Sequence, residues 1–214
     1  MTTIGIEVFA DPEALADGAA EKIAGRLRDA PGPQVSLGLA GGTSPATTYR
    51  KLRGLPCHWD RVDVWLADER WVPRDHRDSN GRMAAEALFD HVDARYHRPL
   101  WAPWLQPEES AVRYEATLRS IHPSDHPPDL VLLGIGNDGH TASLFPNTEG
   151  LKAERRWYVS NYVGKLDAWR LTAAIPLLHL AREIFFMVEG GAKASSLAAI
   201  IRGEDYPATL VASG

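Results

Sequence analysis

The apolar positions of the chain form short continuous runs, separated by stretches in which apolar residues recur every three or four positions. Continuous runs predict buried strands, and helical spacing predicts amphipathic helices. Strands are predicted at residues 4–9, 35–40, 62–66, 130–135, 157–162 and 184–188. Because strands alternate with helices and several strands are apolar throughout, we expect an α/β fold with a parallel sheet covered by helices on both faces. No long linker interrupts the pattern, so residues 1–214 are predicted to form one domain.

The helix starts carry their own signals. Asp11 followed by Pro12 predicts an N-cap and a first helical residue. Pro45 predicts a second helix start, with Ser44 as its cap. Further helices are predicted from near residue 80 to 88, from 107 to about 121 and from 192 to 201.

Composition narrows the classes of function. The chain has 23 basic and 28 acidic residues and a formal net charge of −5, whereas surfaces that bind nucleic acid are basic. No apolar stretch approaches the ~18 residues that cross a bilayer, and residues 1–4 do not begin a signal peptide. With Cys57 as the single cysteine, no intramolecular disulfide can form. We therefore expect a cytoplasmic protein that binds neither nucleic acid nor membrane.

Three unusual segments follow predicted strands, at the edge where open parallel sheets bind ligands. In the first, Gly41 and Gly42 allow close approach of the backbone to a ligand, and Thr43 and Ser44 add hydroxyl groups. The free N–H groups and partial positive charge of the helix start that follows favour a phosphate. An ordinary turn with a helix cap is the alternative interpretation, since the segment is neither a dinucleotide fingerprint nor a P-loop.

The second segment places Asp68, Glu69 and Arg70 directly after an apolar strand. Arg70 is suited to bidentate contact with a phosphate. Asp68 or Glu69 could orient a histidine or hold Arg70 in place. The alternative is an exposed charge cluster without a role in chemistry.

The third segment, residues 134–140, presents His140 in a glycine-rich turn after a buried strand. Imidazole suits proton transfer near neutral pH, and Asp138, two residues earlier, could set its tautomer. Asp138 and His140 also supply two candidate metal ligands, but no third stands out nearby. Ser143 is a candidate nucleophile, although no G-x-S-x-G elbow surrounds it.

Together, these segments resemble the 6-phosphogluconolactonase family. The resemblance rests on residues 39–45 (LAGGTSP), 68–73 (DERWVP) with 79–80 (SN), 134–146 (GIGNDGHTASLFP), Lys165 with 169–172 (WRLT), and 186–193 (FMVEGGAK). These blocks occur in order over nearly the whole chain. The resemblance implies a Rossmann-like three-layer αβα sandwich with a mostly parallel central sheet.

The resemblance also implies an activity and a set of site residues. The expected reaction is hydrolysis of 6-phospho-D-glucono-1,5-lactone in the oxidative pentose phosphate pathway, without metal or cofactor, by a monomer or weak homo-oligomer. His140 matches the family's proposed general base, and Arg70 and Lys165 match cations that hold the substrate phosphate. The loop Gly41, Gly42, Thr43, Ser44 matches the phosphate loop, and Arg170 matches a further basic position. The carboxylate that orients His140 is left open between Asp138 and Glu69.

Two rival functions share this fold. Amino-sugar phosphate deaminases and isomerases place an acidic residue shortly after the Asp-Gly-His turn, whereas this chain has Leu144, Phe145 and Pro146 there. A non-catalytic sugar-phosphate sensor would usually carry a DNA-binding segment, and none precedes Ile4. Both features favour lactone hydrolysis.

Overall fold

A computed structural model describes residues 4–124 and 126–214 of the chain. The residues before Ile4, where we expect no signal peptide, lie outside the described part. The strands are β1 Val35–Leu39, β2 Val62–Leu66, β3 Asp68–Arg70, β4 Arg95–His97, β5 Leu130–Gly134, β6 Tyr158–Val163, β7 Ala168–Ala173 and β8 Glu183–Met187. The α-helices are α1 Pro12–Asp29, α2 Thr43–Leu52, α3 Asn80–Ala87, α4 Pro107–Ile121, α5 Ile175–Leu178, α6 Ala194–Ile201 and α7 Pro207–Ala212. Over residues 4–124 and 126–214, no helix combines the length and apolar character needed to cross a membrane.

The centre of the fold is a five-stranded sheet in the order β4-β2-β1-β5-β8, with every neighbouring pair parallel. Successive residues of β5 contribute to opposite faces: Leu132 packs with α1, α2 and α3, whereas Leu133 packs with α4, α5 and α7. The sheet therefore lies between two helix layers with a hydrophobic core on each side, and the expected α/β sandwich is confirmed.

A second, three-stranded antiparallel sheet in the order β3-β7-β6 was not predicted. It follows directly from the central sheet, because Ala67 alone separates β2 from β3. The backbone of Ala67 joins the two sheets: its N–H donates to Leu39 (2.8 Å) and its carbonyl accepts from Ala173 (2.7 Å). The sequence did not predict β3, because its three residues are all charged and its partner β7 is distant in the sequence.

The strand predicted at residues 4–9 is wrong. The segment pairs with no strand among the described residues, and Ile6 and Val8 are 64% and 88% exposed. Its contacts are with α1 instead, because Glu7 forms an ion pair with Lys22 (2.5 Å) and the Phe9 ring packs on Gly18. β-Branched composition alone therefore did not produce a strand, because strand formation also depends on pairing and packing with neighbouring strands.

The helix starts were predicted with mixed success. Asp11 caps α1 as expected, accepting a hydrogen bond from the Ala14 N–H (2.8 Å). Helix α2 begins at Thr43 rather than Pro45, and its cap is Gly42 rather than Ser44. Gly42 has φ of 115°, a conformation that glycine adopts without strain, so the chain can turn into the helix two residues early.

Candidate functional site

His140 lies in a tight turn directly after β5. The Gly136 N–H donates to the His140 carbonyl (2.8 Å), and the Gly139 N–H donates to Gly136 (3.0 Å). Gly139 has φ of 72°, and a Cβ there would lie 2.0 Å from the Tyr206 ring. A Cβ on Gly136 would lie 2.0 Å from Nδ1 of His140. The two glycines are therefore required for this turn, which presents the imidazole at the edge of the sheet.

Asp138 is the carboxylate that contacts His140. Its Oδ1 lies 2.5 Å from Nδ1 of His140, and its other oxygen accepts a hydrogen bond from Lys165. Burial acts to raise the pKa of Asp138, but the hydrogen bonds from Lys165 and His140 outweigh it and lower that pKa to about 2. Asp138 is thus ionised at neutral pH and favours the tautomer with hydrogen on Nδ1. Nε2 has no hydrogen-bond partner among the described residues, so its lone pair is free to accept a proton.

Phe145 forms the floor beneath these groups. Its ring lies 4.1 Å from the His140 ring in a stacked arrangement, and the Lys165 ammonium lies 4.5 Å from its centre. An open cavity of about 420 Å³ is bounded by Asp138, Phe145 and Lys165. No separate sequence signal marked the role of Phe145, which lies within the long motif that includes His140.

The glycine loop lies beside the His140 turn, because β1 and β5 are neighbouring parallel strands. The first hydrogen bond of α2 runs from Ala46 to Gly42 (3.1 Å), so the N–H groups of Thr43 and Ser44 have no acceptor within the helix. The hydroxyl of Ser44 donates to Glu189, which follows β8. The loop therefore combines free N–H groups with the partial positive charge of a helix start.

Arg70 and Arg170 face each other across β3 and β7 as register partners. Neither forms an ion pair with a carboxylate in the described part of the chain; Arg70 donates to the Asp78 carbonyl (2.8 Å), and Nε of Arg170 is buried without a hydrogen-bond partner. Burial lowers the pKa of Arg170, and the charge of Arg70 lowers it further. Two unneutralised guanidinium groups side by side make a site that an anion would stabilise.

Both arginines lie on the face of the small sheet that packs toward the His140 segment. Alternate residues of a strand share a face, so Arg70 lies on the same side as Asp68. Asp68 accepts a hydrogen bond from Ser143 (2.7 Å), and the Ser143 carbonyl accepts one from Asn161, the register neighbour of Arg170 (2.9 Å). The buried hydroxyl of Ser143 is thus occupied in joining the sheet to the turn, which argues against a nucleophilic role.

Glu69 is buried, and three of its four hydrogen bonds join it to the start of α3, whereas none goes to His140. Its two oxygens accept from the N–H groups of Arg70, Asn80 and Gly81 (each 2.7 Å) and from the hydroxyl of Ser79 (3.0 Å). Burial raises its pKa, although these donors act in the opposite direction. The interpretation of an exposed charge cluster is therefore wrong for this residue, and of the two candidate carboxylates only Asp138 touches His140 in the described structure.

Asn80 connects the three segments; in the sequence it was noted only as part of the family resemblance and was given no role. Its side chain donates to the carbonyl and to Oδ1 of Asp68 (3.0 Å each), and a Cβ on Gly41 would lie 1.9 Å from its Oδ1. A chain of contacts therefore runs from the glycine loop to Asn80, and from Asn80 to Asp68. Asp68 in turn contacts Ser143, which lies near His140 in the sequence. The Ser-Asn pair at residues 79–80, which follows a polar loop, is the sequence feature that could have marked Asn80.

No group of three His, Cys, Asp or Glu side chains suited to a metal ion is found in residues 4–124 and 126–214. Asp138 and His140 remain two potential ligands, and Asp138 is already paired with Lys165. The arrangement offers proton transfer by His140 and anion binding by Arg70, Arg170, Lys165 and the glycine loop.

Comparisons with known proteins identify the family of the chain. A family model described as "Glucosamine-6-phosphate isomerases/6-phosphogluconolactonase" matches residues 10–214. A 6-phosphogluconolactonase of Synechocystis sp. is 40% identical over 190 residues, which cover 83% of this chain and 78% of that protein. One from Pseudomonas aeruginosa is 35% identical, and the match covers 94% of this chain and 87% of that protein.

Solved structures give the same result. The crystal structure of a 6-phosphogluconolactonase from Shewanella baltica has a TM-score of 0.85 and 29% identity, covering 96% of this chain and 91% of that chain. The 6-phosphogluconolactonase structure from Trypanosoma brucei has a TM-score of 0.85 and 26% identity, covering 99% and 93%. With a family model that spans most of its length and relatives of this similarity, the chain belongs to the family of glucosamine-6-phosphate isomerases and 6-phosphogluconolactonases.

Proposed function

We propose that this chain hydrolyses 6-phospho-D-glucono-1,5-lactone to 6-phospho-D-gluconate in the oxidative pentose phosphate pathway, with His140 as the general base. The observation that carries the proposal is the pair of Asp138 and His140, 2.5 Å apart, which leaves Nε2 free at the edge of the sheet. The names of the similar proteins support the same reaction.

The geometry supplies what the reaction needs. A δ-lactone is an activated ester, so attack by water requires a base and a positioned carbonyl. Nε2 of His140 takes a proton from water as the oxygen attacks C1, and the ionised Asp138 stabilises the imidazolium that forms. The imidazolium then returns a proton to the ring oxygen as the C1–O bond breaks, which yields the open-chain acid. General-base help of this kind contributes ~10²–10⁴-fold to a rate.

The cations and the glycine loop position the substrate through its phosphate. Arg70 and Arg170 offer two guanidinium groups that pair with no carboxylate in the described part of the chain. The N–H groups of Thr43 and Ser44, at the start of α2, are further donors. Lys165 lines the same cavity as Asp138, so its ammonium adds positive charge next to His140. Anchoring a dianion that does not react converts binding energy into orientation of the lactone.

An amino-sugar phosphate deaminase or isomerase is the rival within the same family. Such chemistry needs a carboxylate close to the imidazole and beyond the Asp-Gly-His turn. In this chain Phe145 packs on His140 at that place, and the neighbouring carboxylate, Asp138, is held by Lys165. An aromatic ring cannot take up the proton, and this favours hydrolysis over deamination.

Turnover assays separate the two reactions. Freshly generated lactone is supplied with chelator present, and its hydrolysis is coupled to 6-phosphogluconate dehydrogenase; ammonia release from glucosamine 6-phosphate is measured in parallel. We expect hydrolysis well above the spontaneous rate and no ammonia. Ammonia release without faster lactone hydrolysis would overturn the proposal in favour of the deaminase. Binding of 6-phosphogluconate with neither turnover would instead indicate a sensor.

A further inference from the structure

A second cavity lies on the opposite side of β3 from the His140 site. It has a volume of about 200 Å³, and Glu69 and Leu171, which alternate with the residues facing Ser143, form part of its wall. The remaining wall comes from residues 70–72, 74, 79 and 98–101. The cavity shares Arg70 with the proposed substrate site, and none of its other lining residues belongs to that site.

The cavity is locally basic in a chain whose net charge is −5. Arg70, Arg74 and Arg98 line it, and Glu69 is the one acid among the described lining residues. Glu69 already accepts four hydrogen bonds, three from the start of α3 and one from the Arg70 N–H. The three guanidinium groups therefore outnumber the acid, whose oxygens are already occupied.

Arg98 is the most informative of the three. It is half-buried, yet it makes no hydrogen bond or ion pair with any described residue, and the same holds for the more exposed Arg74. By contrast, Arg82 and Arg95 on neighbouring elements each hold a carboxylate at 2.7 and 2.8 Å. Partial burial of an unpaired charge is unfavourable, and an anion in the cavity would remove that cost.

Two indole rings complete the cavity. Trp71 and Trp101 are half-buried, with ring centres 6.3 Å apart and planes inclined by 52°. Such rings provide an apolar surface against which a short carbon skeleton can pack. The volume lies below the ~300–1,000 Å³ of pockets for whole drug-sized ligands, so it fits a compact molecule.

We infer that this cavity binds a compact organic phosphate, whose phosphate contacts Arg74 and Arg98 and whose carbon skeleton packs on Trp101. The site is distinct from the substrate site of the proposed function, although Arg70 borders both. Its occupant lies behind β3, while the substrate lies on the face of β3 that carries Asp68.

The test uses glycerol 3-phosphate as the probe, and inorganic phosphate as the probe without a carbon skeleton. The enzyme is first saturated with 6-phosphogluconate so that the substrate site is filled, and each probe is then titrated by calorimetry. We expect one glycerol 3-phosphate site per chain, with tighter binding than inorganic phosphate. Arg98→Gln should weaken glycerol 3-phosphate binding at least tenfold, and Trp101→Ala should reduce its affinity to that of inorganic phosphate.

Arg77→Gln is the matched control, since Arg77 lies in the same loop with its side chain 87% exposed and outside the cavity. It should leave binding unchanged. Absence of binding to the wild-type enzyme, equal weakening by Arg77→Gln, or displacement of the probe by 6-phosphogluconate would each overturn the inference. Lactone turnover of Arg98→Gln, expected to match the wild type, keeps this test independent of the proposed function.

Discussion

At the residue scale, the central feature is the contact between Asp138 and His140. The carboxylate fixes one nitrogen of the ring and leaves the other free, and it is paired with Lys165 on its other side. Because the pKa of Asp138 is lowered to about 2, its charge persists throughout the neutral range. The Asp138 carboxylate therefore remains available as a hydrogen-bond acceptor for His140 across that range.

Replacing Asp138 with Asn should lower kcat by on the order of 10²-fold, because the amide neither stabilises the imidazolium nor selects one tautomer. KM should change less than kcat. Steady-state kinetics of the lactonase reaction measure both. Asp167→Asn is the control, because Asp167 lies in the loop next to Lys165 and bonds Tyr162 instead of His140. Equal loss in both variants would contradict the role given to Asp138.

Replacing Arg170 with Gln should raise KM for the lactone roughly 10–100-fold, since one charged hydrogen-bond donor to the phosphate is lost. The chemical step should be little affected, so kcat should stay close to that of the wild type. Arg155→Gln removes an exposed arginine away from β3 and β7 and should leave KM unchanged. A fall in kcat with constant KM would place Arg170 in the chemistry instead of in phosphate binding.

At the scale of elements, the start of α3 is held by a buried acid. Glu69→Gln should lower the free energy of unfolding by about 2–3 kcal/mol. In the wild type, backbone N–H groups of α3 donate to both carboxylate oxygens, and in the variant one of these oxygens is replaced by an NH₂ group that cannot accept. Urea unfolding gives the difference. Glu86→Gln, which removes an exposed acid paired with Arg82 on the same helix, should cost less than about 1 kcal/mol. Similar losses in both variants would argue against a structural role for Glu69.

The elements divide clearly into those that the sequence could predict and those that it could not. The strands β1, β2 and β5 and the helix α4 were predicted within a residue, because continuous apolar runs and a proline start are local signals. The three-residue strands β3 and β4 and the antiparallel pairing of β6 with β7 depend on neighbours that are distant in sequence. The strand prediction at residues 4–9 failed because composition alone suggested a strand, whereas the segment pairs with no strand in the described part of the chain.

The parts of the candidate site that depend on local turn residues could be predicted from the sequence. The parts that depend on tertiary contacts could not. The glycines around His140 and the helix start after Gly42 are visible in the sequence. Two features depend on where segments distant in sequence meet. Asp138 contacts both His140 and Lys165, and Glu69 accepts hydrogen bonds from the start of α3. The role of Tyr206 behind Gly139 was missed because helix α7, which begins at Pro207, was not predicted.

At the scale of the whole molecule, a buried histidine links stability to pH. His122 is 1% exposed, and its Nε2 lies 3.3 Å from the Ser36 hydroxyl. Burial, aided by the charge of His126, lowers its pKa from the ordinary 6.5 to about 4. The unfolded chain therefore binds a proton at this residue below pH 6.5, whereas the folded chain does so only near pH 4.

We expect the stability to fall as the pH drops from 6.5 toward about 4, by about 3 kcal/mol from this group, and this contribution to level off below that pH. Urea unfolding at several pH values measures the slope. His122→Asn should flatten the slope whatever its effect on stability at neutral pH. His58→Gln, at an exposed position, should leave the slope as it is. An unchanged slope in His122→Asn would contradict the assignment.

The most direct test of the proposed mechanism is the lactonase rate of His140→Ala, measured with freshly generated lactone, chelator and coupled 6-phosphogluconate dehydrogenase, together with its affinity for 6-phosphogluconate. Loss of the general base predicts a fall in kcat of about 10²–10⁴-fold, with product affinity retained within a few-fold because the phosphate is held elsewhere. Full turnover by this variant would contradict the account, because the proton would then have to leave water by another route.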